Sequence, residues 1–196
     1  MAEAATVRRS RITPEREAEL YAAVLDLLRE VGYEALTMDA IAARTKSSKA
    51  TLYRQWGSKP ELIVRALRAN KPVSIEDIDT GSLRGDLLES ANRSDDCQME
   101  RDAALMRSLF HAIHENPELH QALRQLLIEP EITGLNELLR RAVERGEVAA
   151  DNPALDYVIH MMVGGFVARD LIEDRTVDRE FLRSYIDAVI LPALGV

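Results

Sequence analysis

Residues 37–57 read TMDAIAARTKSSKATLYRQWG, a stretch that holds two short helical patterns separated by a polar break. Thr37 is placed to cap the first pattern, with Asp39 in its opening turn and Met38, Ile41 and Ala42 as candidates for burial. Lys46-Ser47-Ser48 forms the break, and the second pattern runs from Lys49 to Trp56 and stops at Gly57. At ~100° per residue, Leu52 and Trp56 fall on one side of this second helix. Ala50, Thr51 and Arg54 fall on the other, with Tyr53 and Gln55 on the flanks. A helix with an apolar back and a small, polar, basic front anchors inward and offers its front to a groove. Ala50 and Thr51 permit close approach, while Arg54 and Gln55 carry donors with the reach for base edges. Lys49 and Lys59, each at the start of a helix, are placed for phosphates, which a helix N-terminus itself favours.

The flanks extend the helical pattern in both directions. Thr13-Pro14, with Glu15 and Glu17 in the first turn, opens a helix whose apolar residues Leu20, Val24, Leu27, Leu28 and Val31 keep helical spacing until Gly32. Ser58-Lys59-Pro60-Glu61 is a capping box that opens a fourth helix through about Asn70. Lys71-Pro72 and the polar stretch Ser74 to Ser82 mark a boundary. Beyond it the spacing predicts helices over Leu83–Cys97, Met99–His114, Pro117–Ile128, Glu131–Arg145, Pro153–Glu173 and Asp178–Leu191. Asn116-Pro117, Glu129-Pro130, Gly146 and Asn152-Pro153 supply the stops between them. No strand pattern or sequence repeat competes with this reading. The expectation is an all-α chain: a flexible basic arm (1–12), a three-helix helix-turn-helix unit with the start of a linking helix (13–71), and a larger helical domain (72–196).

Composition narrows the function classes. Hydrophobic residues make up 46% of the 196 and charged residues 30%, with nine Gly and seven Pro, which suits long helices. The single Cys97 excludes a disulfide framework or a cysteine-based zinc site within one chain and points to a reducing, cytoplasmic setting. Met1 to Arg11 has no apolar run of signal-peptide type. The apolar stretch Tyr157 to Ala168 is interrupted by His160 and too short for the ~20 residues that span a bilayer, so no membrane association is expected. The net charge of −8 divides unevenly. Residues 1–71 hold 13 Lys/Arg against 9 Asp/Glu, and residues 72–196 hold 12 against 24. One module can meet a polyanion while the other repels it, which confines docking to one face. Arg8-Arg9-Ser10-Arg11 is either a minor-groove arm or a solvated tail.

The runs Leu36-Thr37-Met38-Asp39-Ala40-Ile41-Ala42 and Ser48-Lys49-Ala50-Thr51-Leu52-Tyr53-Arg54-Gln55-Trp56-Gly57-Ser58-Lys59-Pro60-Glu61-Leu62 resemble the DNA-binding domain of the TetR (tetracycline-repressor-like) family. The resemblance covers about the first third of the chain. It implies contacts to double-stranded DNA from Thr37, Lys49, Ala50, Thr51, Tyr53, Arg54, Gln55 and Lys59, with Thr37 and Tyr53 on phosphate. It implies a homodimer on an inverted-repeat operator, with residues 72–196 serving ligand sensing and dimerisation, and repression relieved by a small molecule; a ligand-independent or activating regulator is the alternative. Lys46 and Ser47 stand where that family usually has Gly and then an apolar residue. A left-handed Lys46 costs ~1 kcal/mol or more.

The last two helices carry more apolar surface than one partner can cover. Val158, Ile159, Met161, Met162, Val163, Phe166 and Val167 go most of the way round one, with Gly164 and Gly165 permitting close approach. Phe181, Leu182, Tyr185, Ile186, Val189 and Ile190 do likewise in the other. Gly165, Phe166, Tyr185, Ile186 and Val189 are therefore expected at a twofold interface, central core of a monomer being the alternative. Leu105, Met106, Phe110, Leu126, Met161 and Met162 are candidates for a pocket, with His114 as a polar neighbour, and their chemistry suits an apolar or aromatic effector. His111, His114, Glu115, Glu118 and His120 match no zinc-hydrolase spacing. No phosphate-cradling loop or nucleophile elbow is present, so neither cofactor nor catalysis is expected.

Overall fold

Side-chain hydroxyls, amides and carboxylates open the helices by accepting from backbone N–H groups that the first turn leaves free. The computed structural model describes residues 12–70, 75–93 and 95–196. Apart from Ile12, the expected basic arm lies outside these residues, as do Lys71 and Pro72. Thr13 caps α1 (Pro14–Ala35), Thr37 caps α2 (Met38–Thr45), Ser48 caps α3 (Lys49–Trp56) and Ser58 caps α4 (Lys59–Ala69). Gly32, at φ 73°, breaks the last turns of α1, a backbone region that a Cβ would disfavour. After a single 3-10 turn at Ile75–Asp77 come α5 (Leu83–Asn92), α6 (Asp96–Glu115), α7 (Pro117–Leu123) and α8 (Glu129–Glu144). A 3-10 turn at Pro153–Tyr157 leads into α9 (Val158–Glu173), followed by α10 (Arg179–Tyr185) and α11 (Leu191–Leu194). Among the described residues there is no strand.

Three expected boundaries are corrected. The helix begun at Leu83 ends at Asn92, and Cys97 belongs to α6, because the Asp95 carboxylate accepts from Gln98 N at 2.7 Å and starts a new helix. Glu129-Pro130 is not a stop. The chain runs from α7 to α8 through a π-helical turn at Arg124–Ile128, in which the Glu129 N–H reaches back to the Arg124 carbonyl. Proline lacks the N–H for the carbonyl four residues earlier and its ring crowds that group. The wider turn relieves the crowding, and the freed Leu126 carbonyl accepts from Arg68 of α4 at 3.4 Å. The same device operates at Ile186–Ile190, ahead of Pro192, where Leu191 N–H returns to Ile186 O and α11 carries the helix past its expected end.

Two apolar cores result. The first joins Leu20, Val24 and Leu28 of α1, Leu52 and Trp56 of α3, and Leu62 and Ile63 of α4 to Leu105 and Leu109 of α6 and Leu119 and Leu123 of α7. The second gathers Leu83 and Leu87 of α5, Leu135 and Leu138 of α8, Val158, Ile186, Ile190 and Leu194. Hydrogen bonds cross the expected domain boundary beside the first core. Asn70 donates to Asp102 at 3.2 Å, and Asn116 donates to the Tyr33 hydroxyl at 3.2 Å.

Candidate nucleic-acid interface

The back of α3 is fixed by Leu52 and Trp56, both buried as the spacing required. The Trp56 indole donates to the Tyr21 hydroxyl at 2.9 Å, and the two rings meet edge to face at 6.0 Å. Tyr21 donates in turn to Glu17 at 3.0 Å, and burial is the main cause that raises its phenol pKa. These bonds set the roll of α3 about its own axis against α1.

The turn before α3 is held equally firmly. Lys46 adopts φ 50° and ψ 38°, the left-handed conformation expected of it, and Ser47 N–H closes on Ala42 O at 3.0 Å. The Arg16 guanidinium of α1 donates to the Thr45 carbonyl, satisfying the end of α2 from a distance that sequence spacing could not reveal. Arg44 makes two bonds to the Glu30 carboxylate, 3.1 and 2.6 Å, and ties α2 to α1 from the other side.

With its back fastened, α3 turns Ala50, Tyr53, Arg54 and Gln55 to solvent. Thr51 is half-buried and its hydroxyl lies 2.8 Å from that of Ser48. The exposed Thr37 accepts from Ala40 N at 3.1 Å and so sits at the α2 N-terminus. Lys49 pairs with Asp39 at 2.8 Å, a hydrogen bond that raises the lysine pKa. Both partners are exposed, and such a pair is worth little in water, so the ammonium is free to exchange onto an anion.

Lys59 does not join this group. Its ammonium turns inward, donating to Tyr33 O at 2.9 Å and Leu36 O at 3.0 Å, and lies 4.0 Å from the Tyr33 ring centroid. Burial lowers its pKa, and burial also pushes the Tyr33 phenol up to about 12.

The other expected sites are dispersed. Leu105 is buried in the first core, and Met106 and Leu126 pack against it, whereas Met161 and Met162 pack against the second. Phe110 and His114 are exposed on α6. Periodicity marks a buried face without saying which core buries it, and here the pocket candidates divide between two. Of the interface candidates, Ile186 is buried in the second core, and the Tyr185 ring covers Gly165 at 3.0 Å from where a Cβ would stand. Tyr185 also donates to Met161 O at 3.1 Å, so these three serve the protomer's own packing. Phe166 and Val189 remain exposed. Phe166 shares a flank of α9 with Asp170, which pairs with Arg107 of α6 at 2.8 Å. The outward stripe of α9 is Val163, Val167 and Leu171, 55%, 42% and 83% exposed, with Gly164 beside it. Leu171 was missed, although its i+8 spacing from Val163 carries the signal.

A three-helix unit with a tight turn between α2 and α3, the back of α3 locked and its polar, basic front bare, defines a helix-turn-helix DNA-binding protein. Comparison with known proteins agrees. A profile described as "Bacterial regulatory proteins, tetR family" matches residues 20–66, and one described as "Tetracyclin repressor-like, C-terminal domain" matches residues 77–189. An uncharacterised HTH-type transcriptional regulator of Mycobacterium tuberculosis is 34% identical over 181 residues, 91% of this chain and 88% of its own length. The DNA-binding transcriptional repressor TetR of Mycobacteroides abscessus is 32% identical over 90% of this chain and 92% of its own. The crystal structure of the TetR-family transcription regulator SCO0332 superposes with a TM-score of 0.67 at 27% identity, covering 91% of this chain and 98% of that one. The chain belongs to the TetR family of transcriptional regulators, a family of DNA-binding proteins that are generally not enzymes. No helix among the described residues is long and apolar enough to cross a membrane.

Proposed function

We propose that the chain is a repressor that binds an inverted-repeat operator as a homodimer and releases it when a small apolar or aromatic molecule binds the rear helices. The observation that carries this reading is the exposed front of α3, with Tyr53, Arg54 and Gln55 bare on a helix whose back is fastened by Trp56. Arg54 and Gln55 read base edges in the major groove, while Thr37, Lys49 and Tyr53 contact phosphate and Ala50 and Thr51 allow close approach. Two protomers pair through the outward stripe of α9, joined by Val189 from the C-terminal segment. This sets the two copies of α3 ~34–36 Å or somewhat more apart, on successive major grooves.

The effector lodges where α6 faces α9. The Arg107–Asp170 ion pair joins α6 to α9, with Phe110 three residues after Arg107 and Phe166 four before Asp170, each one turn from the pair. This chemistry takes up an aromatic or apolar guest and rejects a small, highly charged one, whose desolvation nothing there offsets. Release requires preference for the DNA-free state, and a hundredfold preference corresponds to ~2.7 kcal/mol.

The test is selection of bound duplexes from a random pool, followed by a thermal-shift and operator-release screen of apolar and charged compounds. An inverted repeat and release by apolar compounds support the reading. A direct repeat would refute the twofold arrangement, and release by charged metabolites alone would refute the effector class.

A further inference from the structure

We infer that Lys46, at the apex of the turn between α2 and α3, is a further contact to DNA phosphate, kept at a position whose backbone would suit glycine better. The inference rests on the DNA-binding reading and adds one residue to it. Lys46 and Asp174 are the two non-glycine residues with positive φ among those described. At φ 50° and ψ 38° a Cβ crowds the carbonyl oxygen that follows it, and glycine escapes that strain. Both flanks of the turn are fixed. Thr45 is buried, its hydroxyl donates to Ile41 O at 2.7 Å, and its carbonyl accepts from Arg16 of α1. Ser47 N–H closes on Ala42 O at 3.0 Å, and Ser48 caps α3 by accepting from Thr51 N at 3.1 Å. Lys46, between these fixed points, is exposed. It precedes Lys49 by three residues and so stands beside the N-terminal end of α3, where the helix dipole favours an anion.

The partners of the other cations single Lys46 out. Of the nine Lys and Arg residues between positions 13 and 70, five rest on carboxylates. Lys59 and Arg68 donate to main-chain carbonyls. Among the described residues of this unit, that leaves the side chains of Lys46 and Arg54 with no hydrogen bond or ion pair. Arg54 lies on the front of α3, where a base edge supplies its partner. Lys46 is a second charge that the folded protomer does not use, on an exposed turn at the start of the same helix. The negative end of α2 favours a cation, but Arg44 already stands in its last turn. Phosphate is the complement that suits this side chain. Its ammonium is a compact point charge with three donors on a flexible four-carbon stem, without the planar fork of arginine.

Three full-length variants test the contact. Lys46→Gly removes both charge and strain, Lys46→Gln removes the charge alone, and Lys46→Arg keeps both. Each is titrated with sonicated mixed-sequence duplex DNA over a range of salt. One phosphate contact contributes about 0.9 to the slope of log K against log[salt], so a homodimer with both copies on the duplex loses about 1.8 in either neutral variant. Between about 50 and 200 mM salt, wild-type affinity then falls about twelvefold more than theirs. Lys46→Arg keeps the wild-type slope. Urea titration separates fold from contact: Lys46→Gly melts at or above the wild-type midpoint, so its weaker binding is not unfolding. Reductive methylation of the wild-type protein, read by peptide mass spectrometry, labels Lys46 in the free protein and spares it in the complex. A wild-type slope in either neutral variant, a flattened slope in Lys46→Arg, or equal labelling with and without the duplex would overturn the contact while leaving DNA binding in place. Wild-type protein that binds no duplex at all would instead remove the DNA-binding reading, and the Lys46 contact with it.

Discussion

Leu171→Ala is the sharpest probe of the twofold arrangement. Leu171 is 83% exposed on the outward stripe of α9, so the protomer gains almost nothing from it. Replacing leucine by alanine removes three carbons, worth ~0.8 kcal/mol each when taken out of water, and the exposed share of that is about 2 kcal/mol. A twofold interface buries the residue once from each copy, so the dimer loses about 4 kcal/mol, roughly a 10³-fold rise in its dissociation constant. Sedimentation equilibrium across a wide concentration range measures that constant, and a gel shift with the selected operator reports the linked loss of DNA affinity. Dilute variant protein should keep the thermal midpoint of dilute wild-type protein, because the side chain lies outside both cores. A dissociation constant within threefold of wild type would mean that this stripe is not the interface, and the proposed pairing would have to be abandoned.

Further outcomes follow from other parts of the molecule. Arg54→Ala should relax preference at particular base pairs by about 1–3 kcal/mol, while Tyr53→Ala should weaken all sequences alike, which a panel of operator variants separates. Lys46→Gly places glycine where φ is 50° and should stabilise the fold by about 1 kcal/mol in urea titrations; a drop in the midpoint would contradict the left-handed turn. Hydrogen bonds from Arg44, Arg84 and Arg140 hold the carboxyls of Glu30, Asp187 and Glu137 below the usual range, as hydrogen bonds from Arg179 do for Asp96. A depressed folded-state pKa contributes stability above the unfolded value, near pH 4, and loses it as pH falls through the folded one. Unfolding midpoints should therefore decline on the acid side, and Asp187→Asn should flatten that decline.

The front third of the chain was legible because each of its rules is local. Thr13, Thr37, Ser48 and Ser58 cap the helices they precede, Gly32 and Gly57 break the chain, and Leu52 and Trp56 lie one turn apart on a buried side. What escaped was set by partners remote in sequence. Pro130 read as a stop and Leu191 as the last helix's end, yet a π turn precedes each, and at the first the released carbonyl is taken by Arg68, 58 residues away. The carbonyls that the Lys59 ammonium bonds, those of Tyr33 and Leu36, are likewise supplied by the end of another helix. The rear helices posed the converse difficulty. Their apolar residues exceed what one face requires, and spacing alone could not say that Tyr185 would cover Gly165 while Val163, Val167 and Leu171 stayed bare.

The first core continues from α1 and α4 into α6 and α7, and this gives the DNA-reading unit a dependence on temperature that its own sequence does not contain. Leu109 and Leu119 stand far along the chain from the recognition helix, yet they complete the wall against which that helix's supports are packed. Trimming either to alanine opens a void costing about 2–5 kcal/mol. In a fold of ordinary stability, such a loss leaves the reader intact when cool and melts it when warm. Substitutions there should surface in genetic screens as conditional alleles: strains that regulate normally at low temperature and lose control at high temperature, with every DNA-facing residue unchanged.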